Sequence, residues 1–393
     1  MYPILKLKEG KEAAVGFRHP WIFSGALENK AEHGALVRVA DKHGKILGTG
    51  TYSRSSSIAM RVFAFGDAVI DRVWLKAKIA EAQASRALLG YGPGTDTTGY
   101  RCVFGEADGV PGLVVDRYND VIVFQIATAG LDRLREDVVA VLQEVFQPRA
   151  IVERSDVPSR REENLEPVSA VRFGQDPGLV SFSEHGRTGL ADVMNGQKTG
   201  AFLDQKDLRS FVAPLAKDKE VLNLFSHAGA AGIAALKAGA ARVHNVDGSA
   251  DALALAAETA KANDVPADRF TTEKSDVFQW LGAHAADAWD VVLMDPPALI
   301  KSAKDAEEGK KAYHFLNRAA MKLVKNGGLF VTSSCSHFLK EEDLAFILRR
   351  ASVQAGVDLQ VLRVVRQSPD HPVSVYFPEG AYLQSFVCRV RRS

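Results

Sequence analysis

Two residues stand out for chemistry: Cys335, in Val331-Thr332-Ser333-Ser334-Cys335-Ser336-His337, and Asp295, in Met294-Asp295-Pro296-Pro297. A free thiol has a pKa of ~8.5, so only a few per cent is thiolate at neutral pH, yet that thiolate is strongly nucleophilic. It can add to carbon 6 of a pyrimidine. Charge then builds toward ring nitrogen 3, where a hydrogen-bonded carboxyl group stabilises it, and Asp295 is the candidate. The role requires Asp295 to be protonated or to share a proton with the base, which burial favours. Carbon 5 becomes enamine-like and attacks a methyl sulfonium, and loss of the carbon 5 proton expels the thiol. Cysteine is often buried, so without its neighbours Cys335 reads as core. That core reading is kept for Cys102 and Cys388, which lie in β-patterned contexts. His337 reads as a surface imidazole, with a base near Cys335 as the alternative.

The elements that must position this pair read as βαβ alternation from about residue 188. Strands are expected at 220–225, 242–246, 270–272, 289–294 and 328–332. Helices are expected at 230–238, 250–263, 277–285, 303–325 and 340–355. Two closing strands, 359–365 and 381–390, suit an antiparallel edge. Asp295 and Cys335 each follow a run that reads as a buried parallel strand. In a doubly wound sheet the carboxyl ends of the strands form the ligand crevice, so thiol and carboxylate are expected to face one pocket. The paired prolines force a rigid, extended turn and remove two backbone donors, which offers a flat base a wall. A proline-terminated strand with a solvated Asp295 is the plainer alternative.

A nucleotide signal lies in Asn223-Leu224-Phe225-Ser226-His227-Ala228-Gly229-Ala230-Ala231-Gly232. Here a strand runs into a small-residue turn and a helix, and Gly229 lets the backbone approach a ligand closely. Asp247 ends the next strand, where a carboxylate can accept both ribose hydroxyls. The strict GxGxxG pattern is missing, which weakens an NAD reading and suits S-adenosylmethionine, a ligand without phosphate. Asp276 follows the third strand and can accept from an adenine amino group, with the backbone amide of Val277 beside it. An Asp before a helix is equally an N-cap, and the two readings are compatible.

Residues 1–68 read as short strands between turns, a small β-barrel or partly open sheet. Residues 71–90 turn helical. Residues 100–187 read as an α+β module, with strands at 121–127, 149–153, 168–173 and 179–182 and a helix at 131–145. At 393 residues, with 46% hydrophobic and 25% charged residues, the chain can hold two or three domains. Its net charge of +1 is no bulk sign of a nucleic-acid partner. The basic excess is confined to residues 1–70, with ten Lys/Arg against six Asp/Glu. Three scattered cysteines exclude a disulfide framework, give no zinc spacing and fit a reducing, cytoplasmic setting. No signal peptide is indicated, and no apolar run approaches the ~18 residues that span a bilayer.

Several longer motifs carry a resemblance. Gly16-Phe17-Arg18-His19-Pro20-Trp21-Ile22-Phe23-Ser24-Gly25, the run from Phe104 to Tyr118, Glu153-Arg154-Ser155-Asp156 and the run from Gly196 to Lys206 together resemble bacterial 23S rRNA 5-methylcytosine methyltransferases of the RlmI type. The likeness covers nearly the whole chain. It implies an N-terminal PUA-like RNA-binding barrel (1–70), a central α+β domain (71–187) and a class I, Rossmann-like methyltransferase domain (188–393). It implies S-adenosylmethionine as cofactor and 23S rRNA, free or partly assembled, as partner. A homodimer stays open, and no membrane partner is implied. By position, Phe225, Ser226, Gly229, Asp247, Gly248, Asp276, Val277, Gln205 and Asp295 would hold the cofactor, and Cys335 would be the nucleophile. Many related enzymes carry a second cysteine after the first proline of the Asp-Pro motif. Here Pro297 stands there, so the group that removes the carbon 5 proton is unassigned.

Cytosine carbon-5 methylation of large-subunit rRNA is therefore the expected activity. An rRNA guanine N-methyltransferase is the first alternative, since Asp-Pro-Pro suits that chemistry, but it leaves Cys335 without a role. An NAD-dependent dehydrogenase and a non-catalytic RNA-binding protein are more distant ones.

Overall fold

The computed structural model describes residues 1–284, 286, 288–300 and 302–392. Ala285, the expected end of one helix, and Ser393, the expected end of the last domain, lie outside the described residues. The chain divides into two compact units. One comprises Met1–Ser183, Ala191–Leu203 and Pro369–Gly380, the other Glu184–Leu190, Asp204–Ser368 and Ala381–Ser393.

The first unit holds two five-stranded sheets. One runs Ile4–Lys6, Leu36–Ala40, Ile46–Tyr52, Ile58–Phe65, Trp21–Phe23 around a core of Leu5, Leu7, Val37, Val39 and Met60. The other runs Val168–Phe173, Ala150–Ser155, Val121–Ile126, Leu113–Tyr118, Gly99–Phe104, with the helices Arg72–Leu88 and Arg135–Phe146 in contact with each other. Phe63, from the first sheet, packs into the core of the second. The helix expected over 131–145 is two, Ala129–Arg133 and Arg135–Phe146, broken at Leu134. Gly105–Gly112, from the run Phe104 to Tyr118, forms a tight turn. Asp108 anchors it, accepting two guanidinium hydrogen bonds from Arg86 at 2.7 Å and the Phe104 amide at 2.6 Å.

The second unit is built on a seven-stranded sheet. Its order is Phe270–Lys274, Arg242–Asp247, Glu220–Leu224, Trp289–Met294, Val324–Ser334, Gln384–Arg391, Asp358–Arg366. The first five strands are parallel and the last two pair antiparallel. Because successive side chains point to opposite faces, Leu222, Leu224, Val292, Met294 and Phe330 enter one core with Trp280, Tyr313 and Leu344. Val221, Val291, Leu293 and Val331 enter the other with Ile233, Leu236 and Ala256. Burial on both faces explains the unbroken apolar runs.

Several boundaries differ from expectation by one to four residues: the helix expected at 303–325 begins at Ala306, the strand expected at 381–390 begins at Gln384, and the strand expected at 270–272 runs on to Lys274. The strand expected at 328–332 begins at Val324, which pairs with Trp289 ahead of a bulge, and Gly327 takes φ +80° there. The preceding helix therefore stops at Lys322 rather than 325.

Candidate active site

The strand register sets the level of the site. Val246 pairs with Leu224, Leu224 with Met294, and Met294 with Thr332. The next residues, Asp247, Phe225, Asp295 and Ser333, therefore emerge side by side at the carboxyl ends of four adjacent strands. This is the ligand side of an open α/β sheet. Cys335 follows two residues after Ser333, just past the end of its strand. The topology thus brings the sequence-derived thiol and carboxylate to neighbouring strand ends.

The turn after Leu224 is tightly wound. Phe225, His227 and Gly229 all have left-handed backbone, at φ +55°, +47° and +71°. Such a conformation is costly outside glycine and gathers at functional sites. A Cβ on Gly229 would also come within 3.0 Å of Phe270 and 3.1 Å of Ala256. At Gly232 a Cβ would meet Val243 at 2.7 Å, so the helix Ala230–Lys237 needs glycine there to lie close on the sheet. Asp247 ties the turn down. Its carboxylate accepts from the His227 amide at 2.9 Å and from the Ser249 amide at 2.8 Å. Ser226 is buried, and its Oγ has no hydrogen-bond partner among the described residues. A buried hydroxyl of this kind calls for a ligand partner. With the Asp247 carboxylate beside the same turn, these residues fit the polar groups of a nucleoside cofactor.

The remaining cofactor candidates occupy different surroundings. Gly248 is exposed directly after Asp247. Asp276 is exposed, and its Oδ1 accepts from the Gln279 amide at 3.0 Å, capping the helix Val277–Ala283. The capping alternative thus describes its own contacts, while the Ser275 amide donates to the Asp247 carbonyl at 3.0 Å and holds this loop beside the turn. Val277 is buried, and Phe225 meets Phe278 edge-on at 6.3 Å.

Asp295 is half-buried rather than a freely solvated strand cap. Gln205 donates from Nε2 to its Oδ2 at 2.6 Å. Gln205 is itself placed by Asp204, whose carbonyl accepts from the Ser368 amide at 2.8 Å and whose carboxylate accepts from Tyr382 at 2.6 Å. Arg209 adds a buried positive charge. Burial alone would weaken that charge, but the Glu184 carboxylate, 2.7 Å from Nε, overrides it and Asp295 adds to the effect. Earlier in the same Gly196–Lys206 run, Thr199 is buried and donates to Asp116 at 2.6 Å. That part of the run is structural.

Cys335 is half-buried between two buried serines. Ser334 Oγ donates to the Tyr313 hydroxyl at 3.0 Å, and Ser336 Oγ lies 3.0 Å from the same hydroxyl. The Ser336 amide donates to Ser334 Oγ at 3.2 Å, and the Ile300 amide to Ser336 Oγ at 3.3 Å. The last bond joins the Cys335 loop to the segment that begins Asp295-Pro296-Pro297. Burial pushes the Tyr313 phenol above its ordinary pKa, so it stays neutral. Tyr313 is the residue that reading the sequence missed. It sits within the helix Ala306–Lys322, and no local signal marks it. Tyr313→Phe removes the shared partner of two buried hydroxyls. We expect a loss of about 1–3 kcal/mol in stability, read as a lower urea midpoint for the wild-type-like transition, and an unchanged midpoint would contradict this frame. His337 is exposed, and Cys102 and Cys388 are core residues.

The sheet order, the glycine turn and the acid at the end of the second strand define a class I S-adenosylmethionine-dependent methyltransferase. A family model for S-adenosylmethionine-dependent methyltransferases matches residues 167–371, and one for a PUA-like domain matches residues 5–65. The chain belongs to the ribosomal RNA large subunit methyltransferase I family. It is 39% identical to the member from Shewanella amazonensis, over 98% of this chain and 99% of the relative. It is 36% identical to the member from Klebsiella pneumoniae, over 99% of both. Among solved structures, a SAM-dependent methyltransferase from Streptococcus mutans superposes with a TM-score of 0.84 at 22% identity, covering 98% of this chain and all of that one. The structure of SMU.776 complexed with SAH gives 0.84 at 21% identity, over 99% and 100%. Both show the shared fold. Among the described residues, no helix is long and apolar enough to cross a membrane, and no group of His, Cys, Asp or Glu could hold a metal ion.

Proposed function

We propose that the protein methylates carbon 5 of a cytosine in 23S rRNA in the cytoplasm, through a covalent adduct between Cys335 and carbon 6. The observation that carries this reading is the placement of Cys335, framed by Ser334, Tyr313 and Ser336, one strand from Asp295. The RNA substrate comes from the names of the relatives and the PUA-like match. Residues 1–70 and 71–187 form the RNA-binding and central parts in this reading, and 188–393 the catalytic part.

Phe225, Ser226, Gly229, Asp247, Gly248, Asp276, Val277, Gln205 and Asp295 hold the cofactor. When bound, S-adenosylmethionine supplies an electrophilic sulfonium methyl group. The Cys335 sulfur forms a bond to carbon 6, and the displaced electron pair moves toward ring nitrogen 3. Asp295 holds the proton at that nitrogen, and Gln205 fixes the carboxylate that does so. Carbon 5 takes the methyl group as the bond between that methyl and the sulfonium sulfur breaks, leaving a neutral thioether. The carbon 5 proton then passes to water or an unassigned base, and the electron pair of that C–H bond restores the carbon 5–carbon 6 double bond. The bond from carbon 6 to Cys335 breaks, so that Cys335 leaves as thiolate.

The product tests this reading. We incubate the protein with unmodified 23S rRNA and isotope-labelled S-adenosylmethionine, then digest the RNA to nucleosides. All label in 5-methylcytidine is expected. Label in an N-methylated guanosine would overturn the reading in favour of the guanine alternative.

Asp247 gives a second check. A hydrogen bond to a charged group contributes about 1.5–3 kcal/mol, so losing a ribose contact through Asp247→Ala weakens S-adenosylmethionine binding by roughly 10- to 150-fold. Calorimetry reads the change, and an unaltered affinity would remove Asp247 from the cofactor site.

A further inference from the structure

The unit formed by Met1–Ser183, Ala191–Leu203 and Pro369–Gly380 contains a cavity of about 310 Å³ to which the chemistry above gives no task. Its walls include Phe104, Val114 and Phe377, and its polar groups include Arg61, Glu106 and Gln125. We propose that this cavity takes a single unstacked nucleobase of the RNA and selects one that carries an exocyclic amino group. The proposal rests on RNA being the substrate.

Three observations define the ligand. The first is size and polarity. The volume sits at the lower end of the range for small-molecule sites, and apolar walls with a few fixed polar groups suit a planar ring with a polar edge. The second is charge. Arg61 lies 2.6 Å from Glu163 in an ion pair whose carboxylate is buried. Among the described residues Arg61 is the one cation on the cavity wall, and it is neutralised, which favours an uncharged ring over a phosphate.

The third is the hydrogen-bonding edge. Glu106 Oε1 accepts from Trp21 Nε1 at 2.8 Å, which orients the carboxylate. Among the described residues, the remaining oxygen of Glu106 has no hydrogen-bond partner, and neither does the Gln125 carboxamide. A carboxylate only accepts, so it matches the amino group of cytosine or adenine and opposes the carbonyl that uracil presents there. Gln125 sits on the strand Val121–Ile126 opposite Val114, so a rigid sheet carries it.

The surroundings of Phe377 fit a single-stranded ligand. Its ring is held edge-on by Trp21 at 4.7 Å and by His19 at 5.8 Å. Next to it in sequence, Tyr376 is exposed and lies under the Arg18 guanidinium at 5.7 Å. Phe17, beside Arg18, is 79% exposed. Aromatic and arginine surfaces of this kind stack the bases of unpaired strands.

The test uses the full-length protein and fluorescently labelled pentaribonucleotides of cytidine, adenosine or uridine, with affinity read by anisotropy. The cytidine and adenosine probes are expected to bind about tenfold more tightly than the uridine probe. Glu106→Gln keeps an acceptor for Trp21 and turns an amide donor toward the cavity, so the preference falls to about twofold or reverses. Gln125→Leu weakens binding of the cytidine and adenosine probes by about fivefold or more. Equal binding of all three probes by the wild-type protein would overturn the proposal. So would a wild-type preference in both variants at unchanged melting temperature. If Glu106→Gln does not fold, Gln125→Leu alone decides. Binding is read without methyl transfer, so failure here is distinct from failure of the rRNA methylation assay.

Discussion

Cys335→Ala is expected to lower methyl transfer by about 10⁴-fold or more, because loss of a covalent nucleophile removes the route itself rather than one stabilising contact. The substitution is small. Cys335 is half-buried, and the Ser334–Tyr313–Ser336 hydrogen bonds that frame it use no atom of its side chain. Fold and cofactor turn should therefore survive, with S-adenosylmethionine affinity changed by less than about threefold. Single-turnover transfer to 23S rRNA and calorimetry on the same preparation read the two quantities. Full transfer by Cys335→Ala would contradict nucleophilic catalysis and favour methylation of a guanine nitrogen.

Asp295→Asn ranks second. Asparagine keeps the shape of the side chain and an oxygen that can accept from Gln205, now 2.6 Å from Oδ2. It cannot hold or share the proton at ring nitrogen 3. Groups that stabilise developing charge or transfer a proton contribute about 10²–10⁴-fold, and we expect kcat to fall by about 10²–10³-fold. The KM for RNA should change far less, since the contact strengthens as charge develops on the ring. A kcat within about threefold of wild type would assign Asp295 to binding alone.

The legible parts of the fold were those where local pattern and burial agree. Trp289–Met294 was read to the residue because Val291 to Met294 is buried on both faces and has no polar interruption. Ile46–Tyr52, with Gly48, Thr49, Gly50 and Thr51, went unread because small and polar residues mask a strand whose register its neighbours enforce. Gly99–Phe104 was hidden in the same way. Its Arg101 is buried only because Asp116, 2.8 Å away, neutralises it.

The site divides along the same line. Gly229 and Asp247 were legible from spacing, since a strand, a turn, a helix and the next strand fix their separation. The placement of Asp295 and Cys335 at neighbouring strand ends was legible because two adjacent strands of one parallel sheet precede them. Tyr313 was not legible, because it reaches Ser334 and Ser336 across tertiary contacts from the middle of a helix. Gln205 was marked only by resemblance. Its aim at Asp295 depends on Ser368 and Tyr382, both more than 160 residues further along the chain.

The central claim is that Cys335 bonds to carbon 6 of the target cytosine. The most direct test incubates the protein with 23S rRNA containing 5-fluorocytosine and with S-adenosylmethionine. Fluorine at carbon 5 cannot leave as a proton, so the thiol cannot be expelled and the protein should stay attached to the RNA. We predict a denaturation-resistant protein–RNA adduct that peptide mass spectrometry maps to Cys335 and that Cys335→Ala does not form. Efficient methylation of ordinary 23S rRNA, with no adduct on the fluorinated substrate, would contradict the account.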